Sequence, residues 1–204
     1  MPFREGDLGN GYPEEGNAPY GQAKKMLMVE AQVCYQQYDF NAIYLVPVDS
    51  RRPGANINPA CSHVVPALTR KCIEPREAGE ESVRGDVSPG REFLYVDDAA
   101  EGTGLATKRY EDQAPVSLGG GFEITIGELV ERTSWLTAFP STVKFDASLP
   151  KGQPRRSVTV GRAERAFGFR AYTDVCAGFQ ETIDEFEPSR RTDAATDAPV
   201  SVRR

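Results

Sequence analysis

The chain has 204 residues, of which 24 are basic and 30 acidic, so its formal net charge at pH 7 is -6. This acidic balance argues against a nucleic-acid-binding groove as the main function, and no stretch approaches the roughly 20 apolar residues that a membrane-spanning helix needs. The N-terminus is polar and carries no basic and apolar signal pattern, so we expect a cytoplasmic, globular α/β protein without membrane association.

Helix and strand patterns alternate in the first part of the chain. Residues 1–19 are rich in Gly, Pro, Asn and Glu, which predicts an irregular segment. From Tyr20 to Tyr38 apolar residues recur at helical spacing. The apolar run 42–46, ended by Pro47, is typical of a strand buried on both faces of a parallel sheet. A helix that leads into such a strand forms half of a βαβ unit.

The alternation continues along the rest of the chain. We expect loops or charged segments at 50–59 and 74–90, with a weak strand near Val83, and disorder after Pro188, where the chain has nothing to bury. Further helices are predicted at 62–72, at 98–108 with Asp97 as the N-cap, at 125–135 and at 172–186, and further strands at 93–96, 116–118 and 143–145.

The pair Tyr20 and Lys24 carries the clearest chemical signal. Residues at i and i+4 lie on one face of a helix, and an ammonium beside a phenol favours the phenolate and lowers the pKa of the tyrosine. The pair can therefore transfer a proton, although a bare Y-x-x-x-K spacing is more often an exposed surface pair. No G-x-G-x-x-G or G-x-x-G-x-x-G turn, which would hold a dinucleotide, precedes Tyr20.

His63 is the only histidine of the chain. Imidazole titrates near neutral pH and can act as a general acid or base; the alternative is a histidine that caps its own helix. Cys61 lies two residues away, but residues at i and i+2 of a helix point in different directions, so we do not expect it to act with His63. The four cysteines have no C-x-x-C spacing, which predicts neither a metal site nor a disulfide framework.

Several sequence blocks follow one another in a fixed order. They are N-x-P-Y-x-x-x-K from Asn17, Pro47, S-H-V-V-P-A-L from Ser62, R-E-F-L-Y-V-D-D from Arg91 and F-D-A-S-x-P-x-G-x-P-R from Phe145. In this order the chain resembles the GDP-L-fucose synthases, the GDP-4-keto-6-deoxy-mannose 3,5-epimerase-4-reductases of the extended short-chain dehydrogenase group. The resemblance runs from about Phe3 to about Phe186.

The resemblance implies a fold and a division into domains. The fold is α/β: the C-terminal part of a Rossmann-type doubly wound sheet plus a small α/β substrate-binding domain, with the N-terminal dinucleotide-binding half absent. The implied domains are residues 1–60, a Rossmann remnant with the catalytic helix and the following strand, residues 61–187, mainly a substrate-binding region with returning Rossmann segments, and residues 188–204, a disordered tail.

The resemblance also implies an NADP(H)-dependent reaction on a GDP-sugar. Tyr20 would protonate the C4 oxygen of the sugar as hydride arrives, Lys24 would tune Tyr20 and hold the nicotinamide ribose, and His63 would be the acid of the epimerisation. The implied cofactor-binding residues are Lys24, Pro47, Val48, Asp49, Ser50 and His63, and the implied GDP-sugar-binding residues are Lys71, Arg84 and Arg91, with Arg155 as a further candidate.

The chain also departs from the family pattern. Where the family reads P-T-N-L-Y-G, the chain continues from Pro47 with Val48 and Asp49, so a carboxylate replaces an amide. Because the Gly-rich turn, the catalytic Ser and the epimerase Cys are missing, we predict that the chain alone neither binds NADPH tightly nor turns over.

Three functions stay open at this point. The chain is part of a GDP-L-fucose synthase, truncated or split; or it is an epimerase, dehydratase or reductase of another nucleotide sugar; or it is a non-catalytic remnant. The expected protein partner is a second copy, as in a homodimer, or a separate N-terminal half.

Overall fold

The computed structural model describes residues 2–51, 82–85, 88–136, 142–145, 153–174, 177–181 and 184. These residues divide into two compact units. The first unit draws on Met1–Ser50, Pro89–Thr125 and Gly152–Thr173, and the second on Arg51–Ser88, Ile126–Lys151 and Asp174–Arg204. The predicted helix 62–72 and the tail after Pro188 lie outside the described residues, and the domain boundaries inferred from the sequence stay a prediction.

The described residues form four α-helices, nine short strands and two 3-10 turns, Glu5–Asp7 and Glu15–Asn17, within the segment predicted to be irregular. The helices are α1 (Ala18–Tyr38), α2 (Val96–Arg109), α3 (Ile126–Leu136) and α4 (Gly161–Phe167). The strands are β1 (Leu45–Pro47), β2 (Asp49–Arg51), β3 (Ser82–Gly85), β4 (Gly90–Arg91), β5 (Phe93–Tyr95), β6 (Val116–Leu118), β7 (Ile124–Thr125), β8 (Thr142–Phe145) and β9 (Arg155–Arg156). Residues 177–181 are also helical.

The strands of the first unit pair mostly in parallel. β1 pairs with β6, in register from Leu45 opposite Val116 onwards, and β2 pairs with β5. β4 lies between β7, which is antiparallel to it, and β9, which is parallel. Phe3 adds a parallel bridge to Val158, so the N-terminal segment is attached to the residues that follow β9. Parallel strands that alternate with helices confirm the predicted α/β class.

The core of the first unit lies where α2 packs against α4 and β5, and α4 packs against β6. The rings of Tyr110 and Phe167 meet edge to face, with their centroids 5.8 Å apart, an arrangement that aromatic quadrupoles favour. The ring of Phe169 approaches α2 so closely that a Cβ at Gly102 would meet it at 3.0 Å. The buried residues of this core are Leu94, Ala106, Tyr110, Val116, Leu118, Ala163, Phe167 and Phe169.

In the second unit, β3 pairs in parallel with β8, which confirms the strands predicted near Val83 and at 143–145. Helix α3 buries Leu129 and Val130. The buried hydroxyls of Thr133 and Ser134 donate to the carbonyls of Leu129 and Val130 at 2.8 Å each. Both polar groups on this buried face therefore have hydrogen-bond partners.

The predicted strand 42–46 is wrong in its start and in its burial. The strand begins at Leu45, and Leu45 and Val46 are half-buried rather than buried on both faces. The physical reason is that, within the described part of the chain, β6 is the one strand that pairs with β1. The loop predicted at 50–59 is also wrong at its first two residues, because Ser50 and Arg51 lie in β2.

Asp97 does not cap its helix. Helix α2 begins at Val96, its N-cap is Tyr95, and that cap makes no side-chain hydrogen bond. Asp97 therefore lies inside the first turn, where a carboxylate is favoured by the helix dipole without capping. The earlier start follows from β5, which ends at Tyr95 and passes directly into the helix.

The helix predicted at 172–186 is wrong in its first residues, since Tyr172, Thr173 and Asp174 are not helical. Buried Asp98 accepts hydrogen bonds from the backbone N–H groups of Tyr172 at 3.4 Å and Thr173 at 3.2 Å, and this holds the chain out of a helix. Asp174 then accepts a hydrogen bond from the N–H of Ala177 at 3.2 Å, where the helical residues begin.

Candidate functional site

Tyr20 and Lys24 lie one turn apart on α1, as their spacing predicts. Pro19 lies in the first turn of α1, where its missing N–H leaves no helical hydrogen bond unmade. The Nζ of Lys24 lies 5.4 Å from the centroid of the Tyr20 ring, within cation–π range, and Tyr20 is 68% exposed. A phenol and an ammonium are therefore adjacent and accessible to a ligand.

Tyr44 adjoins this pair, and sequence analysis missed it. Its hydroxyl donates a hydrogen bond of 2.6 Å to the backbone carbonyl of Lys24. Burial raises the pKa of Tyr44, and the nearby phenol of Tyr20 raises it further. Tyr44 therefore ties the segment before β1 to the helix turn that carries the pair.

Three residues of the predicted cofactor loop line a small cavity. The cavity has a volume of about 180 Å³, and its lining residues are Phe3, Pro47, Val48, Asp49, Glu92, Gln153, Arg156, Ser157 and Val158. Ser50 is not among them, and its hydroxyl donates to the carbonyl of Val48 at 3.4 Å. Ser157 adds a buried hydroxyl that has no hydrogen-bond partner among the described residues.

Arg91, predicted to bind the substrate, is buried on β4; it does not line the cavity but contacts Gln153, which does. The residue is 8% exposed, and its Nη1 donates to the carbonyls of Gly90 at 2.7 Å and Gln153 at 2.8 Å. Among the described residues, no carboxylate lies within 4.0 Å of its guanidinium. A buried cation that lacks a direct counter-ion is unfavourable, so an anion would complement this arrangement.

Arg156 occupies the position on β9 that pairs with Arg91 on β4. Burial lowers the pKa of Arg91, the guanidinium of Arg156 lowers it further, and the carboxylates of Asp49 and Glu14 act in the opposite direction. Two cationic side chains therefore lie close together, and two carboxylates are near enough to act electrostatically on Arg91. The sequence alone does not point to Arg156, because only the pairing of β4 with β9 brings the two arginines together.

Arg155 and Arg156 are neighbours in sequence but have different partners. The Nε and Nη2 of Arg155 both lie 2.5 Å from Oε2 of Glu123. The Nε of Arg156 donates to Oε1 of Gln153 at 3.0 Å, and its Nη2 lies 3.5 Å from Oε2 of Glu14. Arg155 is thus already neutralised by a close carboxylate and is not among the residues that line the cavity, which argues against Arg155 as a GDP-sugar-binding residue. Arg156 lines the cavity and has a longer ion pair.

Glu92 fixes the backbone around the arginines. Its carboxylate is 3% exposed and accepts hydrogen bonds from the N–H groups of Gly121 at 2.9 Å and Val158 at 2.8 Å. Burial raises the pKa of Glu92. One buried side chain therefore joins the glycine turn after β6 to the strand segment after β9.

The other predicted site residues are not among the described residues of the first unit. His63 and Lys71 lie outside the described residues. Arg84 lies on β3 in the second unit, in register with Lys144. Their roles stay predictions. In the described ranges no group of three or more His, Cys, Asp or Glu residues could hold a metal ion, and no helix there has the length and apolarity to cross a membrane.

Known proteins resemble the chain over most of its length. A GDP-L-fucose synthase of Escherichia coli (strain K12) is 32% identical over 197 residues, which cover 91% of this chain and 61% of that protein. A putative GDP-L-fucose synthase 2 of Oryza sativa subsp. japonica is 33% identical over 183 residues, 89% of this chain and 52% of that protein. The chain thus spans between half and two thirds of these relatives.

A GDP-L-fucose synthetase of Naegleria fowleri, solved with NADP bound, superposes with a TM-score of 0.84 at 26% identity, covering 94% of this chain and 62% of that one. The likeness confirms the Rossmann-like fold class, and these relatives confirm the resemblance to GDP-L-fucose synthases. The model of the NAD dependent epimerase/dehydratase family matches residues 2–119, more than half of the chain. The chain belongs to the NAD dependent epimerase/dehydratase family.

Proposed function

We propose that the chain carries the GDP-sugar-binding and proton-transfer part of an NADP-dependent epimerase/reductase that converts GDP-4-keto-6-deoxy-mannose to GDP-L-fucose. The observation that carries the proposal is Arg91, a buried guanidinium without a close carboxylate among the described residues. It lies on the strand next to β9, whose Arg156 lines the cavity with Pro47, Val48 and Asp49.

A diphosphate is the ligand group that best matches Arg91. Its oxygens accept two parallel hydrogen bonds from a planar guanidinium, and its charge would compensate the buried cation. Two donor bonds of Arg91 already go to backbone carbonyls, which fix the plane of the guanidinium before a ligand arrives. A preorganised donor loses less entropy on binding.

The Tyr20 and Lys24 pair would carry out the proton transfer. A carbonyl oxygen that receives negative charge during reduction must be protonated or hydrogen-bonded, and the exposed phenol of Tyr20 can supply that proton. Lys24, with its Nζ over the Tyr20 ring, would stabilise the phenolate left behind. His63 and Lys71 are the proposed acid of the epimerisation and a further GDP-sugar contact, by resemblance.

The residues present fit the nicotinamide end of NADPH. Lys24 would hold the nicotinamide ribose, and Pro47, Val48 and Asp49 would lie along the ring, where they line one cavity. When bound, the cofactor supplies hydride. The 204 residues contain no Gly-rich dinucleotide turn, so in this proposal the pyrophosphate of the cofactor is held by a segment outside this sequence, and the chain alone is inactive.

The proposed protein partner is a second copy of the chain, which pairs through α1. Met26, Val29 and Val33 follow helical spacing and are 66%, 51% and 39% exposed. We name these three residues the α1 stripe. Three exposed apolar side chains on one face of a helix are what a helix-to-helix contact would cover.

A second candidate is an epimerase or reductase of another nucleotide sugar. Asp49 favours it, because this carboxylate lines the cavity at a position where the resembling family has an amide. A carboxylate accepts hydrogen bonds from sugar hydroxyls but does not donate them. Product analysis with several GDP- and UDP-sugars would decide between the two candidates. The assay would contain the chain together with a dinucleotide-binding segment that gives measurable turnover.

Calorimetric titration of the chain with GDP tests the proposal. We expect GDP to bind, and Arg91→Gln to weaken it by about tenfold to a hundredfold, as for a hydrogen bond to a charged group. Arg155→Gln is the matched control, because Arg155 is paired with Glu123. If GDP does not bind, or if both variants bind it equally, the proposed function is wrong.

A further inference from the structure

We infer that Arg156 is a second diphosphate-binding residue and that Glu14 is its built-in competitor, so that an incoming diphosphate replaces the Glu14–Arg156 ion pair. This inference rests on the proposed function, because it names a further residue of the same site and the group that occupies it before the ligand arrives. No covalent step is involved, only the exchange of one anionic partner for another.

The position of Arg156 supports the first part. It pairs in register with Arg91 across β4 and β9, and it lines the cavity that Pro47, Val48 and Asp49 also line. The contact with Gln153 uses its Nε and the ion pair with Glu14 uses its Nη2. The donors on Nη1 are left for an anion, and those on Nη2 become available once Glu14 is displaced. Arg91 and Arg156 together could therefore hold adjacent phosphates of one ligand.

The contact between Arg156 and Glu14 supports the second part. Their closest atoms are 3.5 Å apart, and the two side chains are 41% and 42% exposed. An ion pair of this length and exposure is weak, because water competes with it and both side chains must be ordered to form it. A diphosphate carries more charge than one carboxylate and can contact both arginines at once, so the exchange favours the ligand.

The other carboxylates of the site act differently. Glu92 is buried and its oxygens are occupied by backbone N–H groups, so it does not compete for Arg156. Asp49 lines the cavity and acts electrostatically on Arg91, but no ion pair between Asp49 and either arginine is found in the described residues. Glu14 is therefore the carboxylate whose removal should release Arg156.

Titration of the full chain with inorganic pyrophosphate tests the inference. We expect Glu14→Gln to bind pyrophosphate about twofold to fivefold more tightly, the fold-change that corresponds to an exposed ion pair. Arg156→Gln should weaken binding by about tenfold or more. Arg155→Gln, the neighbouring variant on the same strand, should bind like the unaltered chain.

A double variant provides the sharpest readout. Because Glu14 is ion-paired with Arg156 and also acts electrostatically on Arg91, Glu14→Gln should give a clearly smaller gain in a chain that already carries Arg156→Gln. A residue with a merely structural role would not produce this dependence. Thermal unfolding monitored by circular dichroism checks that each variant folds; if Arg156→Gln does not fold, the exposed Glu14→Gln alone decides.

The inference is overturned if Glu14→Gln leaves pyrophosphate affinity unchanged or lowers it, if Arg156→Gln behaves like Arg155→Gln, or if the unaltered chain binds no pyrophosphate. These failures differ from failure of the proposed function, which is read from GDP and Arg91. A chain that binds GDP through Arg91 but ignores both Glu14 and Arg156 would keep the proposed function and lose this inference.

Discussion

Arg91 and Arg156 are register partners on the neighbouring parallel strands β4 and β9, near enough for the charge of Arg156 to act on Arg91. Their mutual repulsion is reflected in the pKa of Arg91, which the charge of Arg156 lowers in addition to burial. Bringing two like charges together opposes folding, and a bound anion would relieve it. The site is therefore expected to be more stable when it is filled.

Ligand binding should raise the thermal stability of the chain. A ligand that binds only the folded state adds about 2.7 kcal/mol to the free energy of unfolding at a concentration one hundred times its Kd. We expect a rise in Tm with GDP that is smaller in Arg91→Gln, measured by differential scanning fluorimetry. An equal rise with guanosine, which has no phosphate, would show that the arginines do not recognise the diphosphate.

Replacing Glu92 by Gln should change the pH dependence of stability. Burial raises the pKa of Glu92 in the folded chain, the charge of Glu123 adds to this, and the N–H groups of Val158 and Gly121 oppose it. A raised pKa means that the folded state prefers the protonated carboxyl. This contribution to stability is complete below the unfolded pKa, is lost as pH rises through the folded pKa, and is absent at higher pH.

In Glu92→Gln the loss of stability with rising pH that Glu92 causes should disappear, because an amide does not titrate. The variant should also lose about 1–3 kcal/mol near neutral pH, because its NH₂ group would face a backbone N–H that has lost its acceptor. Urea unfolding at a series of pH values from about 4 to 7 measures both effects. An unchanged slope of stability against pH would contradict the assignment of Glu92 as the titrating group.

Two glycines of α2 form a matched pair for a stability test. A Cβ at Gly102 would meet the ring of Phe169 at 3.0 Å, whereas a Cβ at Gly104 would meet no atom within 4 Å. Gly104→Ala should therefore stabilise the helix by about 0.5–1 kcal/mol. Gly102→Ala should lose this gain or destabilise, because the ring must move. Urea unfolding of both variants compares them; equal stabilisation would mean that Phe169 does not pack on α2 as described.

A charge on the α1 stripe should prevent self-association. If a second copy covers Met26, Val29 and Val33, Val29→Asp would place an unpaired carboxylate in the contact, which is unfavourable. We expect the unaltered chain to run as a dimer in size-exclusion chromatography with light scattering, and Val29→Asp as a monomer. Leu27→Asp, which is outside the stripe and 50% exposed, is the control. A chain that is monomeric without any substitution contradicts the homodimer.

The longer elements could be predicted from sequence because their patterns repeat. Helix α1 follows from apolar spacing, and Tyr20 and Lys24 are adjacent because helix geometry alone requires it. Strands β4, β7 and β9 have two residues each, which is too short for any period to appear. They form because neighbouring strands pair with them, and that is a tertiary effect.

Contacts that depend on tertiary structure also limit what the sequence predicts about the site. Arg91 could be found from its place in the R-E-F block, but Arg156 and Glu14 approach each other only through folding, from distant parts of the sequence. The false N-cap at Asp97 and the late start of the last helix have related causes. In both cases the position of a strand end or of buried Asp98, rather than local propensity, decides where the helix begins.

The most direct test of the account is a crystal structure of the chain with GDP bound. We predict that the diphosphate lies within hydrogen-bond distance of the Arg91 guanidinium, which keeps its bonds to the carbonyls of Gly90 and Gln153. A structure in which GDP binds elsewhere, with Arg91 contacting only those two carbonyls, would contradict the central claim.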